Sequence, residues 1–138
     1  MRTNTIDRPR MSEARIDKYF ELARRACEFS DMHKAHLGSV LIYKNKVISV
    51  GYNSNKTAPI QALWNQERFD KESTYLHTLH AETTALLHAK NFDIDWSKVY
   101  VFNWRTKKDG SQGLSKPCKS CEAMLKNKGI KNIFYSQL

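Results

Sequence analysis

Residues 117–136, with the sequence PCKSCEAMLKNKGIKNIFYS, decide the fold class of this chain. The spacing of apolar residues predicts a helix over residues 122–128 that ends at Gly129, because glycine adopts the left-handed conformation common at helix ends. β-rich runs predict a strand before this helix, over residues 99–102, and another directly after it, over residues 131–136. A strand, a helix and a strand with short links form a right-handed unit, so we expect these two strands to be parallel.

The upstream part of the chain predicts the remaining elements. Apolar residues at helical spacing predict a first helix that begins at Ser12, an N-cap residue type. Two β-rich runs over residues 37–43 and 47–52 predict a hairpin, and residues 80–90 predict a second helix. The order α-β-β-α-β-α-β indicates an α/β fold: a three-layer α/β/α sandwich whose mixed sheet has four, or five, strands with the C-terminal strands parallel.

Length and composition restrict the class of protein. The chain has 138 residues, of which 41% are hydrophobic and 27% charged, which is typical of one folded domain. No apolar run approaches the ~18 residues of a membrane span. Residues 1–15 contain four arginines and no apolar stretch of the kind found in secretory signals. We therefore expect a cytoplasmic protein without a membrane partner, with a flexible basic N-terminal tail over residues 1–11 and a single domain over residues 12–138.

The charge balance favours anionic partners. Lys and Arg number 23 against 14 Asp and Glu, which gives a formal net charge of +9. Such a chain attracts nucleotides and nucleic acids, although many basic proteins bind nothing anionic specifically. The three cysteines cannot form a disulfide framework, and their odd number points to a reducing compartment.

One histidine and two cysteines have the spacing of zinc ligands. Cys118 and Cys121 stand three residues apart at the start of a predicted helix, so both sulfurs can reach one ion together with the imidazole of His80. The positive end of the helix dipole favours thiolates there. Two thiolates and a neutral imidazole balance Zn²⁺ and leave a fourth position for water, since the sequence offers no second CxxC. This pattern predicts one catalytic zinc ion per chain.

Glu82 follows two residues after His80 and predicts proton chemistry. Side chains at i and i+2 project roughly 200° apart around a helix, yet both can reach an ion placed beyond its N-terminal end. A carboxylate beside a zinc-bound water can take its proton and later deliver it to a leaving group. We therefore expect Glu82 to be a general acid and base.

The motifs H-x-E and P-C-x-x-C, in this order and each at a helix start, are the signature of zinc-dependent deaminases. Over about residues 16–135 the chain resembles the cytidine and deoxycytidylate deaminase superfamily. The resemblance implies a cytidine deaminase-like fold, with Zn²⁺ held by His80, Cys118 and Cys121 and with Glu82 as the general acid and base. It also implies hydrolytic deamination of a cytosine-type nucleoside or nucleotide to the uracil product, with release of ammonia.

The resemblance implies substrate-binding residues as well. Asn53, at the end of the second predicted strand, matches the asparagine that binds the sugar in many members. Ala81 matches the residue whose backbone N–H holds the carbonyl of the base. Members acting on small substrates often place the Pro-Cys pair soon after the third strand, whereas here a basic loop from Arg105 to residue 116 intervenes. We expect this loop to hold a phosphate or a nucleic acid backbone, or else to be a solvated excursion. Trp104 is a candidate to stack on a base, and the alternative is that its ring packs the loop against the fold.

Two further expectations concern the edges of the fold. The stretch over residues 53–79 is polar and aromatic with little periodicity, which favours a substrate loop, since long loops without structure are uncommon unless they are functional. The family fold has another helix and strand after the last strand predicted here. Because a bare sheet edge invites association, we expect the N-terminal segment or a subunit neighbour in a homo-oligomer to cover it.

Several alternatives stay open at this point. The substrate is a free nucleoside or nucleotide, a base within RNA or single-stranded DNA, or a purine such as guanine. A catalytically idle, zinc-stabilised nucleic-acid-binding module is the alternative from another class, and Glu82 argues against it. A second, structural zinc on Cys27 with His33, His36 or His77 is also open.

Overall fold

The computed structural model describes residues 3–5, 11–32, 35–54 and 80–138. No helix in these ranges has the length and apolar character needed to cross a membrane. In chain order the helices and strands are β1 (Thr3–Thr5), α1 (Glu13–Ala26), β2 (Ala35–Tyr43), β3 (Lys46–Tyr52), α2 (Ala81–His88), β4 (Tyr100–Lys107), β5 (Gln112–Gly113), α3 (Lys119–Lys128) and β6 (Asn132–Ser136), with short 3-10 helices at Cys27–Phe29 and Trp96–Lys98. The short strands β1 and β5 were not predicted.

The strands form one mixed sheet. Their order is β1-β6-β4-β2-β3, and β5 pairs with β4 outside this path. β4 and β6 are parallel, as predicted from the strand–helix–strand unit, and the other pairs are antiparallel. The predicted mixed sheet with parallel C-terminal strands is confirmed.

Helices cover both faces of this sheet. Successive residues of a strand point to opposite faces, so Phe102 and Phe134 point towards α1 while Val101 and Ile133 point towards α2 and α3. The rings of Phe102 and Phe134 stack with their centroids 4.5 Å apart. Burying each such side chain stabilises the fold by about 1.5–3 kcal/mol. The predicted three-layer α/β/α sandwich is confirmed.

The β2–β3 hairpin closes through a tight turn and is tied to α1. Lys44 and Asn45 have positive φ angles of 52° and 66°, which is the geometry of a two-residue hairpin turn whose twist matches the strands. The Asn45 side chain accepts a hydrogen bond from Arg15 Nη1 at 3.0 Å. This confirms the predicted hairpin, although β2 begins two residues earlier, at Ala35.

The N-terminal segment covers one edge of the sheet. β1 pairs antiparallel with β6, with Thr3 opposite Ser136 and Thr5 opposite Phe134. This confirms the expectation that the N-terminal segment could cover this edge. An open strand edge offers hydrogen-bonding groups to an extended segment, and the flexible tail over residues 1–11 stays a prediction, since residues 3–5 and 11 alone are described there.

The prediction of a basic loop over residues 105–116 is corrected as well, because part of this segment forms β-strands. β4 continues to Lys107 and turns back into β5, forming the β4–β5 hairpin. Ser136 Oγ, on β6, donates to the carbonyl of Gly113 at 2.7 Å, and Ser115 N–H donates to the carbonyl of Ser136 at 2.9 Å. These buried hydrogen bonds fix the inserted segment to the sheet. The predicted substrate loop lies outside the described residues, apart from positions 53 and 54.

Candidate metal centre

Three ligand-type side chains meet where α2 and α3 both begin. His80 is the N-cap of α2, Cys118 is the N-cap of α3, and Cys121 lies in the first turn of α3. His80 Nδ1 is 3.2 Å from Cys121 Sγ and 3.6 Å from Cys118 Sγ. All three ligand atoms lie within 4.8 Å of one another. One imidazole nitrogen and two sulfurs at such separations form a donor set that fits a zinc ion.

Close packing of α2 on the sheet positions His80. Gly51 of β3 lies directly under this helix, and a Cβ at that position would overlap the carbonyl of Ala81 and the backbone N–H of Ala85. Only glycine allows this approach. The backbone of β3 therefore determines how far the first turn of α2 reaches towards α3.

The two sulfurs have different proton affinities. Hydrogen bonds from Cys121 and from the His80 ring lower the pKa of Cys118 to about 3, and Ser120 Oγ, at 3.1 Å, adds to this effect. The pKa of Cys121 is raised, because Cys121 donates to that thiolate and is buried. Zinc binds thiolates, so metal binding here would displace the proton of Cys121.

A buried carboxyl group lies beside these ligands. Glu82, in the first turn of α2, is only 4% exposed, and its Oε2 accepts a hydrogen bond from Asn103 Nδ2 at 2.8 Å. Burial raises the pKa of Glu82 above its ordinary value. A carboxylate with a raised pKa is a stronger base than an ordinary one, and transfer of a proton in both directions is what a general acid and base must do.

The ligand group and Glu82 line one cavity of ≈ 190 Å³. Two exposed cations, Arg105 and Lys116, stand in its wall, and neither has an ion-pair partner within the described ranges. The complete wall consists of Leu37, Asn53, His80, Ala81, Glu82, Arg105, Leu114, Lys116, Cys118 and Cys121. The structure thus brings seven of the eight predicted site residues to one cavity.

Asn53 reaches this cavity but also holds the backbone around it. Its Oδ1 accepts hydrogen bonds from Leu37 N at 2.9 Å and from Ser30 Oγ at 2.5 Å, and its Nδ2 donates to the Ala35 carbonyl at 3.0 Å. One Nδ2 hydrogen is left for a ligand. The side chain therefore ties the end of β3 to the start of β2 while it faces the site.

Trp104 is the predicted site residue that does not reach the cavity. Its ring packs on the opposite face of the sheet, with its centroid 6.0 Å from that of Phe20 on α1. Asn103 and Arg105 flank it and point to the cavity face, so strand alternation directs Trp104 away. The expectation that Trp104 stacks on a substrate base is corrected by this geometry.

Asn103 is the site residue that sequence reasoning missed. It lies on β4 next to the apolar residues Val101 and Phe102, and it is 1% exposed. A polar amide inside a buried strand is unfavourable unless it has a partner. That conflict was the available signal, and it went unused because the predicted strand ended at residue 102.

The possible second zinc site stays untested. Cys27 Sγ donates to the carbonyls of Ala23 and Trp104, at 3.6 and 3.5 Å. The ring of His36 lies 3.0 Å from the carbonyl of Met32. Within the described residues these two do not join a metal-binding group, whereas positions 33 and 77 lie outside the described ranges.

Comparison with known proteins identifies the family. The family described as the cytidine and deoxycytidylate deaminase zinc-binding region matches residues 13–137. The chain belongs to this deaminase family. The match includes both helix starts of the metal centre.

Two relatives of the deaminase agree with this assignment. An uncharacterised deaminase from the luxG 3′ region of Aliivibrio fischeri is 27% identical over 117 residues, covering 85% of this chain and 69% of the relative. A deoxycytidylate deaminase of Mycobacterium phage D29 is 25% identical over 136 residues, covering 91% of this chain and 97% of the relative.

Solved structures of deaminases share the fold. The dCMP deaminase of cyanophage S-TIM5 in apo form matches with a TM-score of 0.58 at 20% identity, covering 88% of this chain and 81% of that one. The same enzyme in complex with dCMP and dUMP gives a TM-score of 0.57 at 17% identity, covering 87% of this chain and 79% of that one. A cytidine deaminase from Burkholderia pseudomallei matches with a TM-score of 0.53 at 19% identity, covering 86% of this chain and 78% of that one.

Proposed function

We propose that this deaminase is a zinc-dependent hydrolase that converts a cytosine nucleotide of the dCMP type to the uracil nucleotide and ammonia. The observation that carries the proposal is the position of the buried Glu82 carboxyl group beside His80, Cys118 and Cys121 in one cavity. A zinc ion that only stabilised the fold would not require a buried carboxyl group beside it, and burying such a group is unfavourable.

The ligands supply the metal chemistry. His80, Cys118 and Cys121 would hold zinc, and their number leaves room for a ligand that is not protein. When bound, zinc lowers the pKa of a water molecule and so prepares it for attack on the amino-bearing carbon of the ring.

Glu82 would move the protons of the reaction. Its carboxylate takes a proton from the attacking water and passes it to the ring nitrogen beside the attacked carbon. It then takes the remaining hydroxyl proton and delivers it to the amino nitrogen, which leaves as ammonia when the carbon–nitrogen bond breaks and the carbonyl forms. Burial raises the pKa of Glu82, which supports both directions of transfer. Ala81, the first residue of α2, has an N–H at the helix end without an intrahelical partner, and we assign this N–H to the carbonyl of the base.

The charge of the cavity wall favours a nucleotide over a nucleoside. Arg105 and Lys116 stand in the wall with exposed cationic ends, and Asn53 has a hydrogen left for the sugar. We assign the two cations to the phosphate. The dCMP and dUMP bound by the cyanophage enzyme support this choice.

The first test measures ammonia release from dCMP by zinc-loaded protein. The Glu82→Gln variant should keep its zinc and lose at least about 100-fold in kcat, which is the lower range for a general acid and base. Glu122→Gln is the matched control, because Glu122 lies on α3 and reaches Lys126 instead of the cavity. Full turnover by zinc-loaded Glu82→Gln would refute the proton-transfer role.

The second test identifies the substrate with a panel of cytosine, cytidine, dCMP, guanine, single-stranded DNA and transfer RNA. Arg105→Ala and Lys116→Ala should each raise KM for dCMP by roughly tenfold, as expected for a lost charge-assisted hydrogen bond, and leave KM for cytidine unchanged. Lys98→Ala is the control, because Lys98 pairs with Asp95 away from the cavity. Equal effects on both substrates would contradict the phosphate assignment.

One observation favours a second candidate, deamination of a base within a nucleic acid. Lys107 and Lys108 are exposed on the β4–β5 hairpin, beyond the two cations of the cavity wall, and the whole chain has a net charge of +9. Turnover of oligonucleotides with a steep loss of binding at higher salt would select this candidate. Zinc-loaded protein without activity on any member of the panel would instead indicate an idle binding module.

A further inference from the structure

Asn103 places a buried amide where the sheet would accept an apolar residue. The side chain is 1% exposed, and its Nδ2 donates to Glu82 Oε2 at 2.8 Å. Its Oδ1 has no hydrogen-bond partner within the described part of the chain. Burying an amide with one atom unsatisfied is unfavourable, so packing alone does not explain this residue.

The backbone of Asn103 is rigidly held. It pairs with Ser39 on β2 and with Tyr135 on β6, in the centre of the sheet. Ser115 Oγ donates to its carbonyl at 2.9 Å, which connects it to the segment after β5. The amide donor therefore comes from a strand that is paired on both sides, whereas Glu82 lies in the first turn of a helix.

We infer that Asn103 is a positioning residue that holds Glu82 Oε2 in place and thereby presents Oε1 for the proton transfers. This inference rests on the proposed function. A glutamate side chain has three rotatable bonds, and its terminal torsion is broad, so a fixed donor restricts its carboxyl group to one orientation. Asn103 has no assigned contact with the substrate, and its effect acts through Glu82.

Steady-state kinetics with the Asn103→Leu variant test this role. Leucine has a similar volume and lacks the donor. The variant should retain one zinc per chain and its KM for dCMP, while kcat falls by about 100-fold, the loss that a small misplacement of a catalytic group can cause. Unchanged kcat, or a KM that rises as much as kcat falls, would overturn the inference.

Ser39→Ala is the matched control for burial and position. Ser39 lies opposite Asn103 on β2, is 0% exposed, and its Oγ likewise has no partner within the described residues. Removing this hydroxyl should leave kcat and KM unchanged. A loss equal to that of Asn103→Leu would show that any change at this place in the sheet slows turnover, and it would overturn a specific role for the amide.

A second measurement does not depend on turnover or on the folding of Asn103→Leu. In ¹⁵N NMR spectra of zinc-loaded protein, the side-chain amide signal of Asn103 should shift when Glu82 is replaced in Glu82→Ala. An unchanged signal would overturn the inference. Wild-type protein that shows this shift but releases no ammonia would refute the proposed function and leave the hydrogen bond established, so the two failures are distinguishable.

Discussion

Cys118 has two roles at the level of the single residue. It caps α3 and supplies a sulfur to the metal centre. Cys118→Ala should therefore lose stoichiometric zinc, and its melting temperature should no longer fall when a chelator is added, because metal binding and folding are coupled. Zinc analysis and thermal melts check this prediction. Cys27→Ala, a buried cysteine outside the centre, should keep its zinc, and bound zinc in Cys118→Ala would contradict the ligand set.

Cys27 gives a pH-dependent prediction. Burial raises the pKa of its thiol to about 11, from 9.0. The unfolded chain loses this proton from about pH 9 upwards while the folded chain keeps it, so the contribution of Cys27 to stability is present below pH 9 and lost as pH rises towards 11. The decline of the free energy of unfolding between pH 8.5 and 10.5 should be shallower in Cys27→Ala. Identical slopes would contradict the raised pKa.

The motif spacing allowed the ligands and the acid of the candidate site to be predicted residue by residue. It did not predict the residue that holds the acid in place. A histidine and two cysteines around a glutamate are recognisable because few other chemistries need that set, and the structure places all four at one cavity. Asn103 was missed because the predicted strand ended at residue 102, which hid both its burial and its contact with Glu82, 21 positions away in sequence. Trp104 was expected near the pocket because the predicted strand ended at residue 102, whereas β4 continues to Lys107 and alternation along it directs Trp104 to the other face.

At the level of elements, the contact between α2 and β3 depends on Gly51. A Cβ there would overlap the backbone at Ala81 and Ala85, so Gly51→Ala must push the helix away. We expect a loss of about 1–3 kcal/mol in the free energy of unfolding, the usual result of overpacking, together with weaker zinc binding because His80 moves with the helix.

Denaturant titration of Gly51→Ala and zinc-affinity measurements check that prediction. Val50→Ala is the control, because Val50 is the neighbouring residue on β3 and is 38% exposed. It should lose less stability than Gly51→Ala and bind zinc as the wild type does. Wild-type stability and zinc affinity in Gly51→Ala would show that the helix does not lie this close.

Elements defined by local signals were predicted well, and elements defined by distant partners were not. The β2–β3 hairpin follows from two β-rich runs with a short polar link between them, and α3 follows from apolar spacing and a glycine at the helix end. β5 has only two residues. Its position depends on a hydrogen bond from Ser136 Oγ, on β6, to the carbonyl of Gly113. No local pattern encodes such a contact.

At the scale of the whole molecule, β1 covers the edge of the sheet that β6 would otherwise form. Deleting residues 1–5 removes β1 and leaves β6 paired with β4 alone. We expect the free energy of unfolding to fall by about 1–3 kcal/mol, since a few backbone hydrogen bonds of about 1 kcal/mol each are lost. Denaturant titration measures this loss, and an unchanged free energy of unfolding would contradict the pairing.

The same deletion bears on assembly, where the expected homo-oligomer stays a prediction. Full-length protein should run as a homo-oligomer in size-exclusion chromatography with light scattering. The deleted form should give larger species, because its exposed β6 edge can pair with other chains. A monomeric full-length protein would contradict the expected homo-oligomer.

X-ray absorption at the zinc edge of the purified, zinc-loaded protein tests the central claim most directly. The claim is that His80, Cys118 and Cys121 hold one catalytic ion in the cavity that contains Glu82. The spectrum should show two sulfur neighbours at about 2.3 Å and two nitrogen or oxygen neighbours near 2.0–2.1 Å. Three or more sulfur neighbours, or a folded chain that binds no zinc, would contradict the claim.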